Sequence, residues 1–145
     1  MEIKIGFYGQ RQPKVDLLVA ASFEGEKAPP KALQTLETGA FGMAGLAIQR
    51  KRFTGKEGEQ FSSYNGRLEG ASEFLLVGLG KLSRWSSERL RKAIAGVLSY
   101  GKSHNAKSLR ILAETFARGP VRVEETAELI PETLDRADYR FDKYQ

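Results

Sequence analysis

The chain contains no cysteine and only one histidine. The first absence removes disulfide scaffolds, thiolate metal sites and cysteine nucleophiles together, and it agrees with a reducing compartment. The second weighs against zinc chemistry, because His104 has no second histidine and no HExxH spacing around it. It weighs equally against a serine-type hydrolase, and no GxSxG elbow holds any of the serines. Long apolar runs are also lacking. The longest, Leu17 to Ala21 and Phe74 to Val77, fall far short of the about 20 residues that cross a bilayer. Met1 to Gly9 alternates charged and apolar residues where a secretion signal would need a basic start and a continuous apolar stretch, so a cytoplasmic location is expected.

What is present is the composition of an ordinary globular protein: 41% hydrophobic and 28% charged residues over 145 positions, the size of one domain with one core. The net charge of +5 is uneven. Residues 1 to 122 hold 20 Lys or Arg against 11 Asp or Glu, whereas residues 123 to 145 hold 3 against 7, so a basic body carries an acidic final segment. Arg50, Lys51, Arg52 and Lys56 form the densest basic cluster, and Arg84, Arg89, Arg91 and Lys92 a second. Such patches attract phosphate backbones, but a solvated face is the preferred reading, since no nucleic-acid motif or interleaved aromatics accompany them.

The hydrophobic pattern alternates strands with helices. Ile3, Ile5 and Phe7 alternate with Glu2, Lys4 and Gly6, the period of a half-buried strand at or near a sheet edge. Asp16 to Phe23 is continuously apolar after its first residue and reads as a central strand buried on both faces. A helix is expected from about Pro30 to Thr38, stopped by Gly39, and a second helical stretch through Phe41, Ala44, Leu46 and Ile48 to about Lys51. The glycines of that stretch each cost about 1 kcal/mol of helix propensity but permit close packing. Phe53 to Gly58 reads as a turn, Glu59 to Tyr64 as a strand, and Asn65-Gly66 as a hairpin turn. Phe74 to Val77 is a second fully apolar strand, leading through Gly78-Leu79-Gly80 to a helix capped by Ser86 or Ser87. That helix carries Leu90, Ile94 and Leu98 as its buried stripe and is expected to stop at Gly101. Leu109, Ile111 and Leu112 mark a further strand, and Glu124 to Tyr139 an acidic helix that Pro131 should bend or shorten. This alternation implies an α/β sandwich around a largely parallel or mixed sheet.

Two glycine loops invite a phosphate-binding reading. The turn Gly78-Leu79-Gly80 lacks the third glycine of a dinucleotide fingerprint: Ser83 stands there, and the helix begins several residues too late. FTGKEG (Phe53 to Gly58) lacks both the spaced glycine before its Gly-Lys pair and the Ser or Thr after it, so it is not a P-loop. Asp16, Asp135, Asp138 and Asp142 are scattered, and the last three ride the acidic helix, where they face water rather than a metal. The residues therefore present no catalytic constellation.

Several stretches in order resemble the amino-terminal domain of the leucyl (cytosol) aminopeptidase family: DLLVAASFEGEK (Asp16 to Lys27), FTGKEGEQ (Phe53 to Gln60), FLLVGLGK (Phe74 to Lys81), SERLRKAIAG (Ser87 to Gly96) and YRFDKYQ (Tyr139 to Gln145). The resemblance implies a macro-domain-like, three-layer α/β/α sandwich over residues 1 to 138. Residues 139 to 145 would then begin the junction to an absent catalytic domain, with Tyr139, Arg140, Phe141, Asp142 and Tyr144 at that junction. Tyr139, Phe141 and Tyr144 would pack against the absent domain or onto this domain's own sheet. In this family two divalent metal ions, zinc or manganese, are held by the carboxy-terminal domain. Its signature NTDAEGRL is absent from this sequence, so no catalytic, cofactor or metal residue is carried over. The resemblance further implies a homo-hexameric parent enzyme with this domain at its periphery. The alternatives are a macro-domain-like binder of a nucleotide or ADP-ribose, and a basic module that binds DNA.

Overall fold

The computed structural model describes residues 2–6, 14–64, 68 and 70–136. Five strands form one sheet in the order β1-β5-β2-β4-β3. They are β1 (Glu2–Gly6), β2 (Val15–Ser22), β3 (Gln60–Tyr64), β4 (Ala71–Gly78) and β5 (Ser108–Leu112). β1, β5, β2 and β4 run parallel, and β3 is antiparallel to β4. The expected edge position of β1 and central position of β2 are thus observed.

Helices cover both faces. On one side lie α1 (Lys31–Leu36) and α2 (Thr38–Gln49); on the other lie α3 (Ser87–Ser103) and α4 (Val123–Arg136). The alternation of side chains along the strands divides the core accordingly. Leu17, Val19, Leu75, Val77, Leu109 and Ile111 pack with Leu90, Ile94, Leu98 and Ile130 of α3 and α4. Leu18, Ala20, Phe74 and Leu76 pack with Leu33, Ala40, Ala44 and Ala47 of α1 and α2. The sequence-based expectation of an α/β/α sandwich with a mixed, largely parallel sheet holds. α2 buries alanines at i, i+4 and i+7, so its backbone can sit close on the sheet, which explains a helix this rich in small residues.

Three helix boundaries differ from the sequence expectation. Gly39 does not stop α1. The break falls at Glu37, whose backbone is extended (φ −151°, ψ 89°) and whose carboxylate leaves the helix to accept the Gly70 N–H at 2.6 Å. Gly39 instead lies in the first turn of α2. Gly101 does not stop α3 either: it is buried inside the last turn, and the helix ends at Ser103, capped by His104. Asn105 supplies the left-handed conformation there (φ 57°), which asparagine tolerates better than most residues. Pro131 does not end α4, which continues to Arg136. The hairpin turn at Asn65-Gly66 and the end of the acidic helix at Tyr139 lie outside the described residues. Ser86 is the N-cap of α3, its hydroxyl accepting from the Arg89 N–H at 3.3 Å.

Ile94 is fully buried between α3 and the sheet, whereas Ser99 on the same helix is exposed. Ile94→Ala should cost about 3 kcal/mol of unfolding free energy and Ser99→Ala less than about 0.5 kcal/mol, read from urea midpoints.

Candidate functional site

Three of the glycine-containing stretches meet at the carboxyl ends of β2 and β4. The Leu79 N–H donates to Ser22 O (3.0 Å) and the Glu24 N–H to Gly80 O (2.9 Å), tying the two strand ends together. The loop at residues 53–59 is tied to both: Gly25 N–H donates to Thr54 O (3.2 Å), Gly80 N–H to Gly55 O (2.9 Å) and Gly78 N–H to Glu59 O (2.7 Å). Two glycines are obligatory by geometry. A Cβ on Gly78 would overlap the Lys56 carbonyl oxygen, and one on Gly55, at φ +88°, would stand 2.5 Å from Phe23 O. The N–H groups of Gly78 and Gly80, which a dinucleotide would need, are committed to this knot. That is the physical reason the glycine turn here is structural.

The loop does form an anion nest, but the chain supplies the anion. Glu59 Oε1 accepts from the N–H groups of Thr54 (2.9 Å), Gly55 (2.9 Å) and Lys56 (3.2 Å) and from the Thr54 hydroxyl (3.1 Å). Burial raises the Glu59 carboxyl, yet the hydrogen bonds from Thr54, Gly55 and Lys56 together outweigh it and hold the group below the ordinary value of 4.5. Sequence reasoning missed this role. The available signal was a glutamate three residues after the Thr54-Gly55-Lys56 turn, within reach of its backbone N–H groups.

An open crevice of about 630 Å³ lies at the carboxyl ends of β2 and β5. From here β2 leads to α1 on one face and β5 to α4 on the other, the divergence at which open α/β sheets place ligands. Its floor is fixed: the Thr115 hydroxyl accepts from Ala21 N–H (3.0 Å) and donates to Leu112 O (2.7 Å). Lys27, Lys31 and Arg118 line it together with Glu26 and Glu114. Arg118 is held by Glu26 Oε1 at 3.3 Å and stacks over Phe23, 5.3 Å from the ring centre. These groups can receive an anion, but they include no nucleophile beside a base.

The second basic cluster is partly neutralised. Arg89 pairs with Glu57, Lys92 approaches Glu57 at 3.6 Å, and Arg91 approaches Glu132 at 3.9 Å. No ion pair among the described residues reaches Arg50, Lys51 or Arg52 at the end of α2. His104 is exposed and stacks on the Tyr100 ring at 3.8 Å. Burial pushes the Tyr100 hydroxyl up to about 12, aided by its hydrogen bond to Glu73. Among the described residues no group of three or more His, Cys, Asp or Glu could hold a metal, and no helix is long and apolar enough to cross a membrane. The junction residues Tyr139, Arg140, Phe141, Asp142 and Tyr144 lie outside the described residues.

Solved structures share this architecture. The macrodomain of Mycobacterium tuberculosis DarG is 15% identical, with a TM-score of 0.59 over 92% of this chain and 90% of that one. A tomato leucine aminopeptidase mutant, K354E, is 23% identical, with a TM-score of 0.62 over 94% of this chain and 28% of that one. The fold is therefore of the macro-domain-like class. The family model described as "Cytosol aminopeptidase family, N-terminal domain" matches residues 19–145. A probable cytosol aminopeptidase of Alkaliphilus oremlandii is 30% identical over 90% of this chain and 26% of its own length. One of Syntrophotalea carbinolica is 27% identical over 99% of this chain and 29% of its own length. The chain belongs to the cytosol aminopeptidase family and matches its N-terminal domain. It spans little more than a quarter of the length of these relatives.

The Glu59 nest makes stability depend on pH with a defined sign. Because the folded value lies below the unfolded 4.5, the stabilisation is present above pH 4.5 and is lost as pH falls through the lower folded value. Glu59→Gln should lower stability at neutral pH by about 2 kcal/mol, the scale of hydrogen bonds to a charged group. It should also flatten the acid limb of a thermal-melt series, so that wild type and variant converge toward low pH.

Proposed function

We propose that this chain is the non-catalytic amino-terminal domain of a metal-dependent leucyl aminopeptidase and serves the assembly and stability of that enzyme. The observation that carries this reading is the family match over residues 19–145 in a chain that spans only 26% to 29% of its relatives. The parent would release amino-terminal residues from peptides in the cytoplasm as a homo-hexamer. Its two divalent metal ions, zinc or manganese, belong to the carboxy-terminal domain. The described residues of this chain offer no donor set for them. Residues 139–145 would begin the junction, with Tyr139, Phe141 and Tyr144 as apolar anchors and Arg140 and Asp142 between them.

The crevice beside Arg118 favours one second reading, a nucleotide or ADP-ribose site. It lies where the fold class places ligands and is lined by three cations.

The purified 145-residue chain should show no hydrolysis of leucine p-nitroanilide with or without manganese. Turnover in a homogeneous sample would refute the non-catalytic reading. An antibody against the chain should detect a native product several times heavier than 16.1 kDa, and a band at that mass would overturn the parent-enzyme reading. Titration with ADP-ribose separates the second reading. Saturable heat that Arg118→Ala abolishes would establish the crevice as its site, and no heat would remove it.

A further inference from the structure

β3 ends the sheet, and among the described residues no strand pairs with its outer edge. An edge strand presents unpaired backbone N–H and C=O groups, and proteins ordinarily blunt such edges with charge or proline. β3 reads Gln60-Phe61-Ser62-Ser63-Tyr64 and has neither. Tyr64 is 81% exposed.

The edge is flanked by a groove on each face of the sheet. On the α2 side, Phe61 and Ser63 share a depression of about 270 Å³ with Met43 and Leu46, and Arg50 and Arg52 form its rim. Leu46 is 46% exposed there. On the α3 side, Gln60 borders a cavity of about 290 Å³ with Val77, Trp85 and Gly96, rimmed by Arg89 and Lys92 and by the Glu57 they share. The wall at Gly96 is open, with nothing within 4 Å of where a Cβ would stand. Alternate side chains of a strand added to β3 would point into these two grooves in turn, the arrangement by which extended peptides gain affinity from backbone bonds and specificity from alternate pockets.

Charge selects the occupant. Arg50 and Arg52 meet no carboxylate among the described residues, whereas on the other face Arg89 and Lys92 share Glu57. A second copy of this chain, pairing β3 to β3 antiparallel, would bring the two Arg50 and Arg52 rims together. We propose that the outer edge of β3 is a docking site for an extended segment of a partner protein in which apolar and acidic residues alternate. The segment would add as a sixth strand, its apolar side chains filling the α3-side groove and its carboxylates, on the opposite face, meeting Arg50 and Arg52 on the α2-side rim.

The test titrates the 145-residue chain with a fluorescein-labelled peptide of alternating Val and Glu, read by anisotropy and by amide exchange. Its counterparts are the Val-Lys peptide and a Val-Glu peptide with a central proline. The expected result is saturable binding of the Val-Glu peptide alone, with slowed exchange of β3 amides. Affinity should fall at least tenfold in Arg50→Glu/Arg52→Glu. It should fall similarly in Gly96→Leu, which fills the α3-side groove and favours the helix, so the loss cannot be blamed on unfolding. Equal binding of the proline peptide, or protection away from β3, would overturn strand addition. So would self-association that a β3 substitution abolishes, or binding of a DNA duplex at Arg50 and Arg52 without binding of the peptide.

Discussion

One carboxylate holds the carboxyl end of the sheet together. Glu59 sits in the nest formed by Thr54, Gly55 and Lys56, and in that position it fixes a loop whose carbonyls are the acceptors for Gly25 and Gly80. β2 and β4 are already paired along their length, but beyond Ser22 and Gly78 their backbones leave the ladder and need partners elsewhere. The loop supplies them. A nest that many nucleotide-binding proteins leave for a phosphate is here filled internally, so the site is closed to ligand and serves cohesion.

The crevice at the ends of β2 and β5 is open for the complementary reason. β5 passes directly into the turn at Ala113–Thr115, and Thr115 satisfies the Ala21 N–H from below without covering the opening. The two ends of the same sheet edge thus have opposite fates: one is plugged by a loop inserted before β3, and the other is left accessible beside Arg118. Burial elsewhere is strict. Arg110 (2% exposed) and Glu37 (4% exposed) lie within the α1 and α2 side, beneath Gly70, where a Cβ would stand 3.1 Å from Glu37 Oε2 and 4.0 Å from Arg110 Nη1. Burial lowers the affinity of the Arg110 guanidinium for its proton. An arginine on a central parallel strand is costly and is tolerated only where its polar atoms find partners.

Much of this was legible in the residues. The apolar runs at Leu17–Ala21 and Phe74–Val77 identify the two central strands because a strand buried on both faces has no polar side to alternate with. The stripe Leu90, Ile94, Leu98 identifies α3 equally well. The helix ends were harder, since glycine marks where a chain can turn and not where it does. Gly39 and Gly101 lie within helices because the real stops are set by tertiary demands, the Glu37 carboxylate reaching Gly70 and the cap at His104 with Asn105 behind it. The sequence also brought together, without showing why, the stretches around Gly25, Gly55 and Gly78. Their shared purpose exists only in three dimensions, because hydrogen bonds between loops have no local periodicity.

The position of β5 carries a consequence for biosynthesis. It is inserted between β1 and β2, so among the described residues β1 has no partner in the sheet until a segment made about a hundred residues later has docked beside β2. On the ribosome, β2 and β4 can pair first, while β1 waits for β5 through the synthesis of about a hundred further residues. Closure of this sheet is therefore a late, long-range event, and its timing is set by the topology and not by the strength of any single contact.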